Sequence, residues 1–269
     1  MKLDKIVQSL FIALLIIGVF AAMAKNAYGF TFMGTACFGL AFLYLAQLIW
    51  RLIDDFSNLD RKNLPGLMEP FLLAALFLLF GFRASYIYLA NGELIFLVVC
   101  GALIVVYLSI ATGIFNSTKK ESPGLARNMA FFHTSLLFFL LALTTRNINL
   151  LTSTAFGALG TLVSLPFLWS VVRKRQFEYS GKSVSLFQFI ASSKNKAGLL
   201  FIFFLSSALY TGLTLVSVIP EIENADRPKD YIELVRNAES GKEKPVNGKY
   251  QHQVYKEAMD NFLKRHSKK

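Results

Sequence analysis

Charge is scarce in this chain. Asp, Glu, Lys and Arg make up 17% of its 269 residues, against 54% hydrophobic residues. A soluble domain carries about 25% charge and breaks its apolar runs more often, so the composition excludes an ordinary soluble fold. Cysteine is rarer still. Its two copies, Cys37 and Cys100, both fall inside apolar runs, which excludes a disulfide framework. There is no Walker A sequence, no dinucleotide glycine pattern, no HExxH and no GxSxG, so the common nucleotide, zinc and serine-hydrolase chemistries have no support here. The last apolar run contains no lysine, which excludes a retinal Schiff base. No internal repeat is visible, so the inverted-repeat signature of many transporters is missing as well.

Long apolar runs are what the chain does have. Seven of them cover residues 6–24, 30–53, 70–90, 94–115, 129–145, 149–172 and 199–219. Runs near twenty residues match a hydrocarbon core of about 30 Å at about 1.5 Å per helical residue. Helix is the expected state of each, because an isolated strand would leave its backbone unpaired in lipid. The fifth run is short and contains His133. Its Phe and Leu residues favour insertion by about 0.3–0.6 kcal/mol each, which outweighs a polar residue costing about 3 kcal/mol. The expected fold class is therefore all-α: a polytopic integral membrane protein with seven transmembrane helices over residues 1–220 and a small polar tail over residues 221–269.

The net charge of +11 would suggest nucleic acid in a soluble protein. Here its distribution points to membrane orientation instead, and no nucleic-acid partner is expected. One set of loops holds Lys2, Lys5, Arg51, Arg61, Lys62, Lys119, Lys120, Arg127, Arg173, Lys174, Arg175, Lys182, Lys194 and Lys196. The opposite set, before the tail, holds Lys25 and Arg146. Cations gather in cytoplasmic loops, so the amino terminus is expected inside and, after seven crossings, the tail outside. Lys2 and Lys5, an apolar run and Ala22-Met23-Ala24 also fit a cleavable secretory signal. The length of the run favours a retained anchor. Short loops favour a bacterial inner membrane.

The tail reads as two short helices, about 228–239 and about 250–265, separated by Pro245 and Asn247-Gly248. Tyr231, Leu234 and Val235 share a face of the first. Val254, Tyr255, Met259, Phe262 and Leu263 form an apolar stripe on the second. Fifty such residues can hardly bury a core of their own, so these side chains are expected to dock on a partner. The long basic loop at 173–197 reads either as one holding an interfacial helix within 183–190 or as an ordinary basic loop.

Several clusters bear on chemistry. Ser153, Gly157, Gly160 and Ser164 line one face of the sixth run and would let another helix approach closely. Pro166 follows one turn later and is expected to bend that helix. Arg83 is an intramembrane cation, expected about 10 Å deep and able to reach Glu93 by snorkelling. His133 and Arg83 are the intramembrane polar candidates. With Cys37 they supply the residue types of an intramembrane thiol enzyme. Their expected depths differ, about 10–12 Å for Cys37 and Arg83 and about 18 Å for His133, whereas a base must come within about 3 Å of its nucleophile. Asp54, Asp55 and Asp60 could hold Mg²⁺, but no second acidic cluster faces them, and Arg51 and Arg61 can pair with them locally.

No catalytic residue, metal site or cofactor is expected. The expected role is that of a non-enzymatic membrane subunit in a multi-protein envelope assembly for secretion, export or transport, its tail docking other membrane or periplasmic proteins. Self-association is also possible. The alternative is a stand-alone small-solute transporter or channel using Gln8, Gln47, Arg83, His133 and the tyrosines Tyr44, Tyr86, Tyr88 and Tyr107. A thiol enzyme is the second alternative.

Overall fold

A computed structural model describes residues 2–23, 28–55, 64–85, 87, 89, 91–145, 148–192 and 196–215, with positions 245, 248–250, 253, 254 and 257 of the tail. Among these residues the elements run α1 (Lys2–Met23), α2 (Gly29–Asp55), α3 (Leu64–Ala84), α4 (Gly92–Lys119), α5 (Pro123–Thr145), α6 (Leu150–Val172), β1 (Gln176–Tyr179), β2 (Lys182–Ser185), α7 (Leu186–Ser192) and α8 (Ala197–Leu215). Among the described residues, five stretches are long and apolar enough to cross a membrane: Gly29–Ile53, Gly66–Ala84, Gly92–Lys119, Pro123–Thr145 and Leu151–Val172. Shorter apolar stretches are Ile6–Ala21 and Ala197–Leu209. The protein is thus predominantly helical and multi-pass. Of the expected docking residues in the tail, Val254 is described and is exposed. Tyr231, Leu234, Val235, Tyr255, Met259, Phe262 and Leu263 lie outside the described residues.

Helix ends follow local chemistry. At α5, Pro123 takes the first helical position, where a missing N–H costs nothing, and Ala126 N–H closes the first turn on the Ser122 carbonyl at 2.9 Å. At α6, the Asn149 side chain accepts from Leu151 N–H and Thr152 N–H at 2.9 and 3.2 Å, an N-cap that satisfies two orphan donors. The other end of α6 closes with Lys174 in the left-handed region, φ 49°. Lys174 N–H bonds Val171 carbonyl at 2.9 Å and Arg175 N–H bonds Ser170 carbonyl at 3.2 Å, the paired bonds of a Schellman turn.

Helix α3 differs most from its expected span of 70–90. It starts before Pro70 and ends at Ala84. Pro70 has no N–H to give the Gly66 carbonyl. The Arg51 guanidinium donates to that carbonyl instead, so the helix runs through the proline. Its end is closed by Ile87 N–H on the Phe82 carbonyl at 2.8 Å. Arg83 consequently lies in the last turn of α3 and not well inside a span, a correction to its expected depth.

The segment expected as a basic loop folds into an antiparallel hairpin, β1 with β2, pairing Gln176 with Ser185 and Tyr179 with Lys182. Ser180 and Gly181 form the turn with φ of 51° and 70°, both positive as a tight two-residue hairpin loop requires. Glu121 accepts from Ser180 N–H at 3.2 Å, and Gly124 lies so close to the Phe177 ring that a Cβ there would meet it at 3.2 Å. The part of the expected interfacial helix from residue 186 onward is helical as α7, with Leu186 buried and Phe187 exposed.

The chain divides into two compact units. The first takes Met1–Leu45, Ala74–Val99 and Leu213–Lys269. Leu15, Leu40, Tyr44, Phe77 and Phe96 are among its buried side chains, with Tyr44 stacked on Phe77 at 5.8 Å. The second takes Ala46–Leu73 and Cys100–Gly212. Its core gathers Phe132, Phe167 and Phe201, with ring centroids 4.9–5.5 Å apart. In lipid such packing stabilises through dispersion contacts rather than through escape from water.

Candidate functional site

Glu69 is the one fully buried carboxylate among the described residues, 1% exposed. Its Oε1 accepts from the Tyr107 hydroxyl of α4 at 2.8 Å and from the backbone N–H of Lys196 at 2.7 Å. Lys196 caps α8: its carbonyl receives Leu199 N–H and Leu200 N–H at 3.1 and 3.3 Å. The carboxyl group therefore meets the positive end of the α8 dipole. The cations of Arg51 and Lys196 add electrostatic attraction. Arg51 holds the Gly66 carbonyl one turn before Pro70, which fixes the stretch of α3 that carries Glu69. Groups from α2, α3 and α4 and the start of α8 thus converge on one acidic side chain within the second unit. A buried carboxyl group holding two donors from different elements ties those elements together, and it is also a group able to carry a proton.

A third span beginning at Pro70 leaves Glu69 just outside the apolar runs. The available signal was Pro65, a proline suited to a first helical turn, which moves the start of α3 upstream and draws Glu69 inside.

Arg83 and Glu93 form an ion pair at 3.3 Å, their side chains 21% and 13% exposed. The Arg83 guanidinium also lies over the Phe96 ring, 4.8 Å from its centroid. Arginine at the end of α3 and glutamate in the first turn of α4 each complement the local helix dipole. His133 is buried, and its Nδ1–H donates to the Met129 carbonyl at 2.8 Å. That bond assigns the tautomer and leaves Nε2 as a buried acceptor without a hydrogen-bond partner among the described residues. The Gln47 Oε1 is likewise buried and unpaired. Gln8 donates to the Tyr44 hydroxyl, both side chains being buried. Tyr86 and Tyr88 lie outside the described residues.

On the small-residue face of α6, Gly160 is packed on Phe139: an added Cβ would stand 2.9 Å from that ring. Ser135 donates to the Gly160 carbonyl at 2.6 Å and Ser153 to the Ala142 carbonyl at 2.7 Å. Ser164 is buried and bonds Thr161 of its own helix at 2.7 Å. Gly157 faces open space. The structure brings Ser153 and Gly160 against α5; it does not bring Gly157 there. Cys37 is buried in the first unit and His133 belongs to the second. The Asp54 and Asp55 side chains and Asp60 lie outside the described residues, among which no three His, Cys, Asp or Glu residues converge as metal ligands. Compared with protein-family models, curated proteins and solved structures, the chain matches none of them.

Proposed function

We propose that the protein is a non-enzymatic integral membrane subunit of a larger envelope assembly, crossing the bilayer seven times with Met1 in the cytoplasm and residues 221–269 outside as a docking element. The observation that carries this reading is where the buried polar groups are used. Glu69 accepts from Tyr107 and Lys196, Gln8 donates to Tyr44, and Arg83 pairs with Glu93. Two tyrosines and Gln8, the side chains best suited to line a solute path, hold helices to one another. An intramembrane polar network used in this way supports a rigid framework. By its sequence, the tail would supply apolar faces that its own length cannot cover.

Gentle extraction, native separation and mass spectrometry test the proposal. The full chain is expected to migrate with stoichiometric partner proteins. A chain lacking residues 226–269 is expected to insert normally and migrate alone. Partner-free migration of the full chain, or unchanged assembly after the deletion, contradicts it. A stand-alone transporter remains the second reading, favoured by the buried Glu69 carboxyl group and the unpaired His133 Nε2 and Gln47 Oε1. Under it, solute flux in proteoliposomes containing the purified chain alone is abolished by Glu69→Gln.

A further inference from the structure

Where α5 begins and α6 ends, two depressions adjoin. One, about 470 Å³, runs along α6 and is lined by Leu165, Pro166, Leu168, Trp169 and Val172, all apolar. The other, about 190 Å³, adds Arg127, Asn128, Ser170 and Arg175. Pro166 and Trp169 line both, so an apolar groove leads into a dibasic cleft.

The cleft is built by the local fold. The Schellman turn at the end of α6 depends on Lys174 at φ 49°, a conformation that costs a side-chain-bearing residue about 1 kcal/mol or more. That turn carries Arg175 back over Ser170, through the bond from Arg175 N–H to the Ser170 carbonyl at 3.2 Å. Arg127 approaches from the second turn of α5, beside the buried Asn128. Neither Arg127 nor Arg175 is paired with a carboxylate among the described residues. Glu121, a nearby acid, accepts from Ser180 N–H. The Arg173 guanidinium stacks on Trp169, 4.3 Å from the ring centroid. A half-exposed tryptophan carrying a cation belongs at the level of lipid headgroups.

We propose that this cleft binds one anionic phospholipid of the surrounding bilayer, its phosphate between Arg127 and Arg175 and one acyl chain along the α6 groove. Charge selects the occupant. Two guanidinium groups with no carboxylate partner among the described residues and the Ser170 hydroxyl are complementary to a phosphate, while the Asn128 amide nitrogen donates to the Gly124 carbonyl at 2.8 Å and holds the start of α5 in place. The apolar groove that opens from the cleft matches a chain attached to that phosphate. A zwitterionic lipid would bring a third cation into a site that already holds two.

Full-length protein in detergent is mixed with phosphatidylglycerol, phosphatidylcholine or glycerol phosphate, and bound lipid is read by native mass spectrometry. The wild type is expected to prefer phosphatidylglycerol over phosphatidylcholine. Arg127→Gln and Arg175→Gln are each expected to weaken that preference about fivefold, and together to remove it. Lys119→Gln with Lys120→Gln, which removes as much charge from exposed positions away from the cleft lining, is expected to leave it in place. Glycerol phosphate, lacking the chain, is expected to compete poorly. The proposal is overturned by a wild type indifferent to headgroup, by a preference that survives the double arginine change, by an equal loss in the lysine variant, or by glycerol phosphate displacing the lipid at equal concentration. The wild-type comparison needs no substitution, so it decides the matter even where a variant fails to fold.

Discussion

Glu69 shows how one side chain can tie helices together. Replacing it by leucine removes the acceptor of the bonds from the Tyr107 hydroxyl and the Lys196 N–H. Losing one partner of a buried hydrogen bond costs about 1–3 kcal/mol, so Glu69→Leu is expected to lower the unfolding temperature in detergent substantially. Glu69→Gln keeps a carbonyl oxygen for both donors and is expected to lower it much less. Tyr107→Phe removes one bond and is expected to fall between, near the roughly 0.6–2 kcal/mol measured for hydrogen bonds between membrane helices. Thermal melts of the three variants test the order, and equal melting of Glu69→Leu and wild type contradicts it. The burial of Glu69 could be read from Pro65, but its partners could not. The neighbours of Glu69 in sequence, Met68 and Pro70, say nothing of Tyr107 or Lys196, which reach it through the tertiary fold. Arg83 was more legible, because its partner Glu93 lies just ten residues on; its depth was misjudged because the end of α3 depends on a local turn.

At the scale of elements, the packing of α5 on α6 makes a paired prediction. Gly160→Ala places a methyl group against the buried Phe139 ring and is expected to destabilise by about 1–3 kcal/mol. Gly157→Ala meets open space and is expected to be neutral or to stabilise by about 0.5–1 kcal/mol, since alanine favours helix over glycine. The same melts separate the two, and an equal cost at both sites contradicts the packing described. Lys174→Gly relieves the left-handed backbone at the end of α6 and is expected to stabilise by about 0.5–1 kcal/mol; a loss of that size there would rule the turn out. Apolar run length revealed where the long helices lie, because matching a bilayer constrains run length directly. The hairpin escaped that test. Its strands are four residues each, too short for periodicity to announce, and the Ser180-Gly181 turn signal was submerged in a basic loop.

At the scale of the whole molecule, the multi-pass character follows from composition, whereas the proposed orientation rests on charge asymmetry between loops. The proposed role depends on that asymmetry, since a tail facing the cytoplasm could not dock an external partner. The most direct measurement is a pair of fusions after Lys269, one to alkaline phosphatase and one to green fluorescent protein, expressed in a bacterial host. The phosphatase fusion is expected to be active and the fluorescent fusion dark, as an odd number of crossings from a cytoplasmic amino terminus requires. A bright fluorescent fusion with an inactive phosphatase would contradict the topology and remove the external docking role with it.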